Sequence, residues 1–227
     1  MTRVIVTAAG EGTRWGNHRG VPKHLLPSPA NSSETLLGRI VRQCLDYDAR
    51  LDVVVSGPRH YAQPGARIFT PTYRPNDFEC SIYTWTSELW NQNGRTVYLY
   101  GDTFYTDAAI ATILGFTPEE WHLFARFKES SVTGKPWPEV WSHSFWPEQI
   151  NEEVVMITGA VEARHRFGYP RASIYEMYKE RFGRLVGGFS YDQTNLGAMT
   201  EIDDWTEDFD FPKDYDLFCL NYARAHA

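Results

Sequence analysis

The chain has 227 residues, 42% hydrophobic and 22% charged, enough for one ordinary globular domain with a full core. Its net charge of −7 excludes a general nucleic-acid binder, which carries a basic balance. No apolar run approaches the roughly 20 residues that cross a bilayer, so no membrane partner is expected. Val4-Ile5-Val6 is too short for a signal peptide. Cys44, Cys80 and Cys219 are odd in number and widely spaced. They predict free thiols in a reducing, cytoplasmic setting rather than a disulfide framework or a zinc site.

Residues 3–7 (RVIVT) read as a buried strand running into a glycine-rich loop. Leu36, Leu37, Ile40, Val41, Cys44 and Leu45 fall at helical spacing and predict a helix over 33–46, capped by Ser32 or Ser33. Strands follow at 51–56 and 66–70, then a polar loop with Pro71, Pro75 and Asn76, and a helix over 79–92. Residues 96–100 (TVYLY) form the next strand, 106–114 a short helix and 121–127 another strand. Strands buried on both faces and alternating with helices predict an α/β fold with a mostly parallel, doubly wound sheet. Residues 128–146 read as a loop or hairpin, 147–166 and 173–182 as helices. The tail reads as strand, acidic loop and helix, with Pro212 in the first helical turn.

The loop after the first strand gathers Arg14, Arg19 and Lys23 against one acid, Glu11, in an otherwise acidic chain, which predicts phosphate binding. It is not a P-loop: Gly10 to Gly16 is too long a spacing and no Lys-Ser/Thr pair follows. Nor is it the dinucleotide fingerprint, since the third glycine is one residue off and Pro22 precedes any helix.

Ala8-Ala9-Gly10-x-Gly12-Thr13-Arg14, a short variable stretch, Pro22-Lys23 and Leu25-Leu26-Pro27 together resemble the nucleotidyltransferases. These couple a nucleoside triphosphate to a sugar phosphate or a related phosphorylated acceptor, glucose-1-phosphate thymidylyltransferase being a type case. The resemblance covers residues 4–27. It implies a Rossmann-like three-layer α/β/α nucleotide-diphospho-sugar transferase fold over 1–227, with 128–182 as an acceptor-side insertion. It implies Mg²⁺ as cofactor, and an NTP and a phosphorylated small molecule as substrates. The chemistry fits the pattern. Ala8, Ala9, Gly10, Gly12 and Thr13 let backbone N–H groups approach a triphosphate. Arg14 grips the leaving pyrophosphate and Lys23 neutralises charge at the reacting phosphates.

In that family a Gly-Asp after an apolar strand supplies one metal ligand, here Asp102. The stretch 208–216 (DFDFPKDYD) is similar to the family's E-x-D-T-P-E-D-L, which puts the second ligand on Asp210. Phe211 and Lys213 depart from that pattern, and Asp203 and Asp208 remain rivals. Residues 73–89 resemble a segment of choline-phosphate cytidylyltransferases, which places Asn76 and Ser81 near base or ribose, although a loop Asn and a helix-start Ser read equally well. Lys135 and Glu139, amid tryptophans, stand where the family binds its acceptor. Trp137 and Trp141 suit a sugar face, a quaternary amine or plain core packing. His122, His143 and His165 show no metal spacing. A sugar 1-phosphate is the first acceptor class, phosphocholine or another phosphorylated alcohol the alternative. A catalytically inactive nucleotide sensor is the rival of a different kind.

Overall fold

The structure, a computed structural model, describes residues 1–10, 12–16, 18–72, 81–167, 185–186, 190–191 and 198–227. In chain order the elements are β1 (Arg3–Thr7), β2 (Pro27–Ser28), β3 (Asn31–Thr35), α1 (Leu36–Tyr47), β4 (Asp52–Ser56) and β5 (Arg67–Phe69). Next come α2 (Ser81–Thr86), β6 (Thr96–Tyr100), β7 (Thr103–Phe104), α3 (Asp107–Gly115), β8 (His122–Arg126), β9 (Glu139–Phe145) and α4 (Ile150–Phe167). Then follow β10 (Leu185–Val186), β11 (Ser190–Tyr191), β12 (Met199–Glu201), β13 (Glu207–Asp208) and α5 (Pro212–Ala225).

Seven strands form one sheet in the order β12-β8-β9-β6-β1-β4-β5. β1 lies between β4 and β6, parallel to both, and β4–β5 and β8–β12 are also parallel. Side-chain alternation divides the core between two faces. Val4, Val6, Val53, Val55, Val97 and Leu99 meet α1 and α3 on one side. Ile5, Val54, Tyr98 and Leu123 meet Tyr83, Trp90 and α4 residues Met156 and Ala160 on the other. A third cluster joins Trp15, Leu26 and Phe104 to Phe209, Tyr215 and Phe218, so α5 packs against the glycine loop. Among the described residues no helix is long and apolar enough to cross a membrane.

Three expectations change. Residues 139–145, expected within a loop or hairpin, form β9, a sheet strand antiparallel to both β6 and β8. Its middle, Ser142-His143-Ser144, is fully buried and hides the apolar pattern. Arg95 Nη2 donates to Ser144 Oγ at 2.9 Å, His143 stacks on Tyr98 with centroids 4.6 Å apart, and Glu153 lies 3.3 Å from the imidazole. The first long helix starts at Leu36, because Thr35 Oγ1 accepts from Gly38 N at 3.0 Å while Ser32 and Ser33 lie in β3. The helix expected over 79–92 is α2 followed by a 3₁₀ turn, Ser87–Leu89. The helix expected near 173–182 lies outside the described residues.

Candidate active site

Three parallel strands deliver small residues to one point. Ala8, just past β1, donates its N–H to Ser56 O at 2.8 Å, and Gly101, just past β6, donates to Thr7 O at 2.9 Å. A Cβ on Gly101 would lie 2.8 Å from Thr7 O and 3.2 Å from Ala8 Cβ, and one on Gly57 would lie 3.1 Å from Ala8 O. At Gly101 a side chain would force the backbone apart, and at Gly57 it would crowd its neighbour. Gly101→Ala is therefore expected to destabilise the protein by about 1–3 kcal/mol and displace Asp102. Thermal melting of this variant checks it, and an unchanged melting temperature would refute the close approach.

From Ala8 the loop proceeds by short 3₁₀ turns, Thr13–Trp15, His18–Gly20 and Lys23–Leu25. Gly12 (φ +59), Gly16 (φ +59) and Gly20 (φ +70) turn it through the left-handed region. A side chain at Gly10 would meet only open space. Trp15 is buried and roots the loop in the α5 cluster, which leaves the neighbouring Arg14 to reach across the cleft.

The tail is joined to the same place by its backbone. β13 pairs antiparallel with β7, setting Asp208 opposite Thr103, and Phe209 donates its N–H to Asp102 O at 3.2 Å. Asp208 and Asp210 therefore stand beside Asp102 although more than a hundred residues separate them in sequence. Lys23 Nζ pairs with Asp102 Oδ2. Arg14 makes a two-pronged pair with Asp210, at 2.9 and 2.8 Å, and its guanidinium lies 5.5 Å over the Phe211 ring. Two of the loop's three cations, Arg14 and Lys23, thus rest on the two aspartates singled out as metal ligands. Asp203 pairs instead with Lys128, at 2.7 Å.

Lys135 is 6% exposed, and its Nζ donates to Asp208 Oδ1 at 2.6 Å and to Asp208 O at 2.8 Å. Carboxylate oxygens of Glu207 and Asp214 each lie 3.6 Å from it. Trp137 Nε1 donates to Glu139 Oε1 at 2.6 Å. Burial, reinforced by repulsion from Asp208 at Glu139 and from Asp210 and Asp102 at Asp208, holds both carboxyls above the ordinary range against the pull of Lys135. At Asp102 burial is again the largest influence and acts upward, but the charge and hydrogen bond of Lys23, with smaller neighbouring contributions, together outweigh it and keep the carboxyl below its ordinary value. Burial disfavours the Lys23 ammonium, yet Asp102, Asp210 and Asp208 together raise its pKa. His24, packed under this cluster, is pushed down to about 4 by burial and is neutral at pH 7.

Of the other expected positions, Ser81 opens α2 and Asn76 lies outside the described residues. Trp141 is not available to a ligand: it is fully buried, with Arg126 stacked 5.2 Å over its ring and its Nε1 donating to Ile202 O at 3.1 Å. Trp137 is 40% exposed. Sequence reasoning misses Glu207, whose Oε2 accepts from Arg126 Nη1 at 3.1 Å, Ser130 Oγ at 2.5 Å and Thr133 Oγ1 at 2.8 Å. The available signal is an acid in strand alternation beside Phe209 and an arginine closing the apolar run WHLFAR.

Among the described residues no three His, Cys, Asp or Glu side chains form a ready metal cage. Two or three half-buried carboxylates with cations as counter-charges suit a different arrangement. A hard divalent ion there would take its remaining ligands from phosphate oxygens and water.

No family model matches the chain, and no curated protein does. Solved structures do, across nearly its whole length. A Bacillus anthracis protein provisionally described as a glucose-1-phosphate thymidylyltransferase superposes with TM-score 0.59 at 14% identity, covering 98% of this chain and 96% of its own. The inositol-1-phosphate CTP transferase of T. maritima gives 0.55 at 14%, covering 97% and 96%. A UDP-glucose pyrophosphorylase complexed with UDP-glucose gives 0.57 at 9%, covering 99% of each chain. The chain has the nucleotidyltransferase fold that these structures share.

Proposed function

We propose that this cytoplasmic chain, a single domain, is a nucleotidyltransferase that joins an NTP to a phosphorylated small molecule, a sugar 1-phosphate first among them, releasing pyrophosphate. One observation carries the reading: Arg14 and Lys23, from one glycine loop, converge on Asp210 and Asp102, from opposite halves of the chain.

The backbone from Ala8 through Gly10 and Gly12 to Thr13 lies along the triphosphate, with Gly10 leaving the approach open. Ser81, and Asn76 upstream of it in sequence, are assigned to base or ribose. Arg14 holds the β- and γ-phosphates, and Lys23 offsets charge at the α-phosphate. An acceptor phosphate oxygen attacks the α-phosphorus in line; the new P–O bond forms as the bond to the β-phosphate oxygen breaks, and pyrophosphate leaves with that electron pair. The acceptor is already an anion, so no general base is required. Arg14 and Lys23 exchange their aspartates for phosphate oxygens when nucleotide enters, which frees Asp102 and Asp210 to hold Mg²⁺. When bound there, the ion neutralises phosphate charge. At the acceptor end stand Lys135, Glu139 and the exposed edge of Trp137. Lys135 acts there as the charge behind Asp208, since carboxylates enclose its ammonium.

Incubation with each NTP, Mg²⁺ and a panel of sugar 1-phosphates and phosphocholine, followed for pyrophosphate, tests this. Release with one acceptor class is expected. Nucleotide-induced thermal stabilisation without release from any pair would favour an inactive sensor.

A further inference from the structure

Arg19 is the one non-glycine among the described residues with a positive φ, 57°. An L-residue adopts that conformation at a cost, so something must hold it. The holder is α5. Arg19 Nη2 donates to Asp216 Oδ1 at 2.6 Å, and its guanidinium lies 5.0 Å over the Tyr215 ring. His18 Nε2 lies 3.5 Å from the other oxygen of Asp216. Trp15 packs edge-on against both His18 and Tyr215, with centroids 5.4 and 6.4 Å apart. Tyr215 then donates its hydroxyl to Pro27 O at 2.7 Å, where the loop ends. One helical turn therefore grips the glycine loop in its middle and at its exit, while Asp210 just before the helix meets Arg14 near its entrance.

We infer that Asp216 and Tyr215 are positioning residues, which act through Arg19 to hold the glycine loop in the conformation that presents Arg14 and Lys23 to the triphosphate. The inference rests on the nucleotidyltransferase reading for its functional consequence but not for its structural one. The Arg19–Asp216 pair is nearly half exposed, so it adds little to global stability. Its effect is local: it sets the fraction of molecules whose loop is ready to bind. A ligand that needs the ordered loop has its apparent affinity reduced by that fraction, while turnover of the bound complex is unchanged.

The test is Asp216→Ala in the full chain, with Asp216→Glu as the rescue. Losing an exposed ion pair and the stacking it supports should speed amide exchange in peptides spanning 10–26 by about five- to tenfold, with β1 peptides unaffected. The nucleotide KM should rise by up to that factor, kcat should stay within about twofold, and Asp216→Glu should recover most of the exchange protection and of the KM. Arg19→Gly, which keeps the backbone conformation accessible but removes the side chain, should loosen the loop to the same extent. Unchanged exchange over 10–26 in Asp216→Ala would overturn the inference. Absence of pyrophosphate release by the wild type would instead overturn the enzymatic reading, and the exchange measurement would still decide the clamp.

Discussion

Asp102→Asn is expected to leave the protein folded and to lower Mg²⁺-dependent pyrophosphate release about a thousandfold, on the order of 4 kcal/mol of transition-state stabilisation. The substitution keeps the shape of the side chain and removes one charge at the C-terminal end of β6. Phe209 N–H donates to the Asp102 main-chain carbonyl, so the β7–β13 junction does not depend on the carboxylate. Lys23 loses its ion-pair partner but keeps the attraction of Asp210 and Asp208. The loss therefore falls on chemistry rather than on folding. Release measured across a Mg²⁺ titration, beside a thermal melt, separates the two. Wild-type turnover in a folded Asp102→Asn protein would refute the assignment of this residue to the metal.

Glu207→Ala carries the largest expected loss of stability. Glu207 and Arg126 are fully buried, and three donors converge on one carboxylate oxygen. Removing the acid strands the Arg126 guanidinium in a dry interior and leaves the Ser130 and Thr133 hydroxyls without their acceptor. Breaking such a pair from one side costs about 3–5 kcal/mol. Against a total of roughly 5–15 kcal/mol, that lowers the melting temperature on the order of 10 °C. The double variant Glu207→Leu/Arg126→Met should be milder than Glu207→Ala, because replacing both members by apolar groups leaves no buried charge unpaired. Denaturant unfolding of the three proteins checks the order. A loss below about 1 kcal/mol for Glu207→Ala would show that Arg126 finds other compensation.

Much of the glycine-loop side of the candidate site is legible in the sequence because its parts are local. Gly12, Gly16 and Gly20 occupy left-handed positions that favour glycine, and Arg14 and Lys23 lie in the same stretch. Asp102 announces itself by following an apolar strand. The tail leaves several acids in contention, and spacing cannot choose among them. Main-chain pairing of β13 with β7 is what brings Asp208 and Asp210 inward, while Asp203 turns to Lys128. β9 escapes a periodicity argument because its buried centre is polar, each side chain answered by a partner distant in sequence, such as Arg95 or Glu153. The same holds for Glu207 and Arg126, which read as ordinary surface charges until the fold joins them. Lys135 looks like a free phosphate ligand in sequence, and only the structure shows the carboxylates around it.

The most direct test of the central claim is a crystal structure with a non-hydrolysable NTP and Mg²⁺. The triphosphate should lie along the backbone of residues 8–13, with Arg14 released from Asp210, Lys23 released from Asp102, and the ion touching both aspartates. A nucleotide bound elsewhere, with both ion pairs undisturbed, would contradict it.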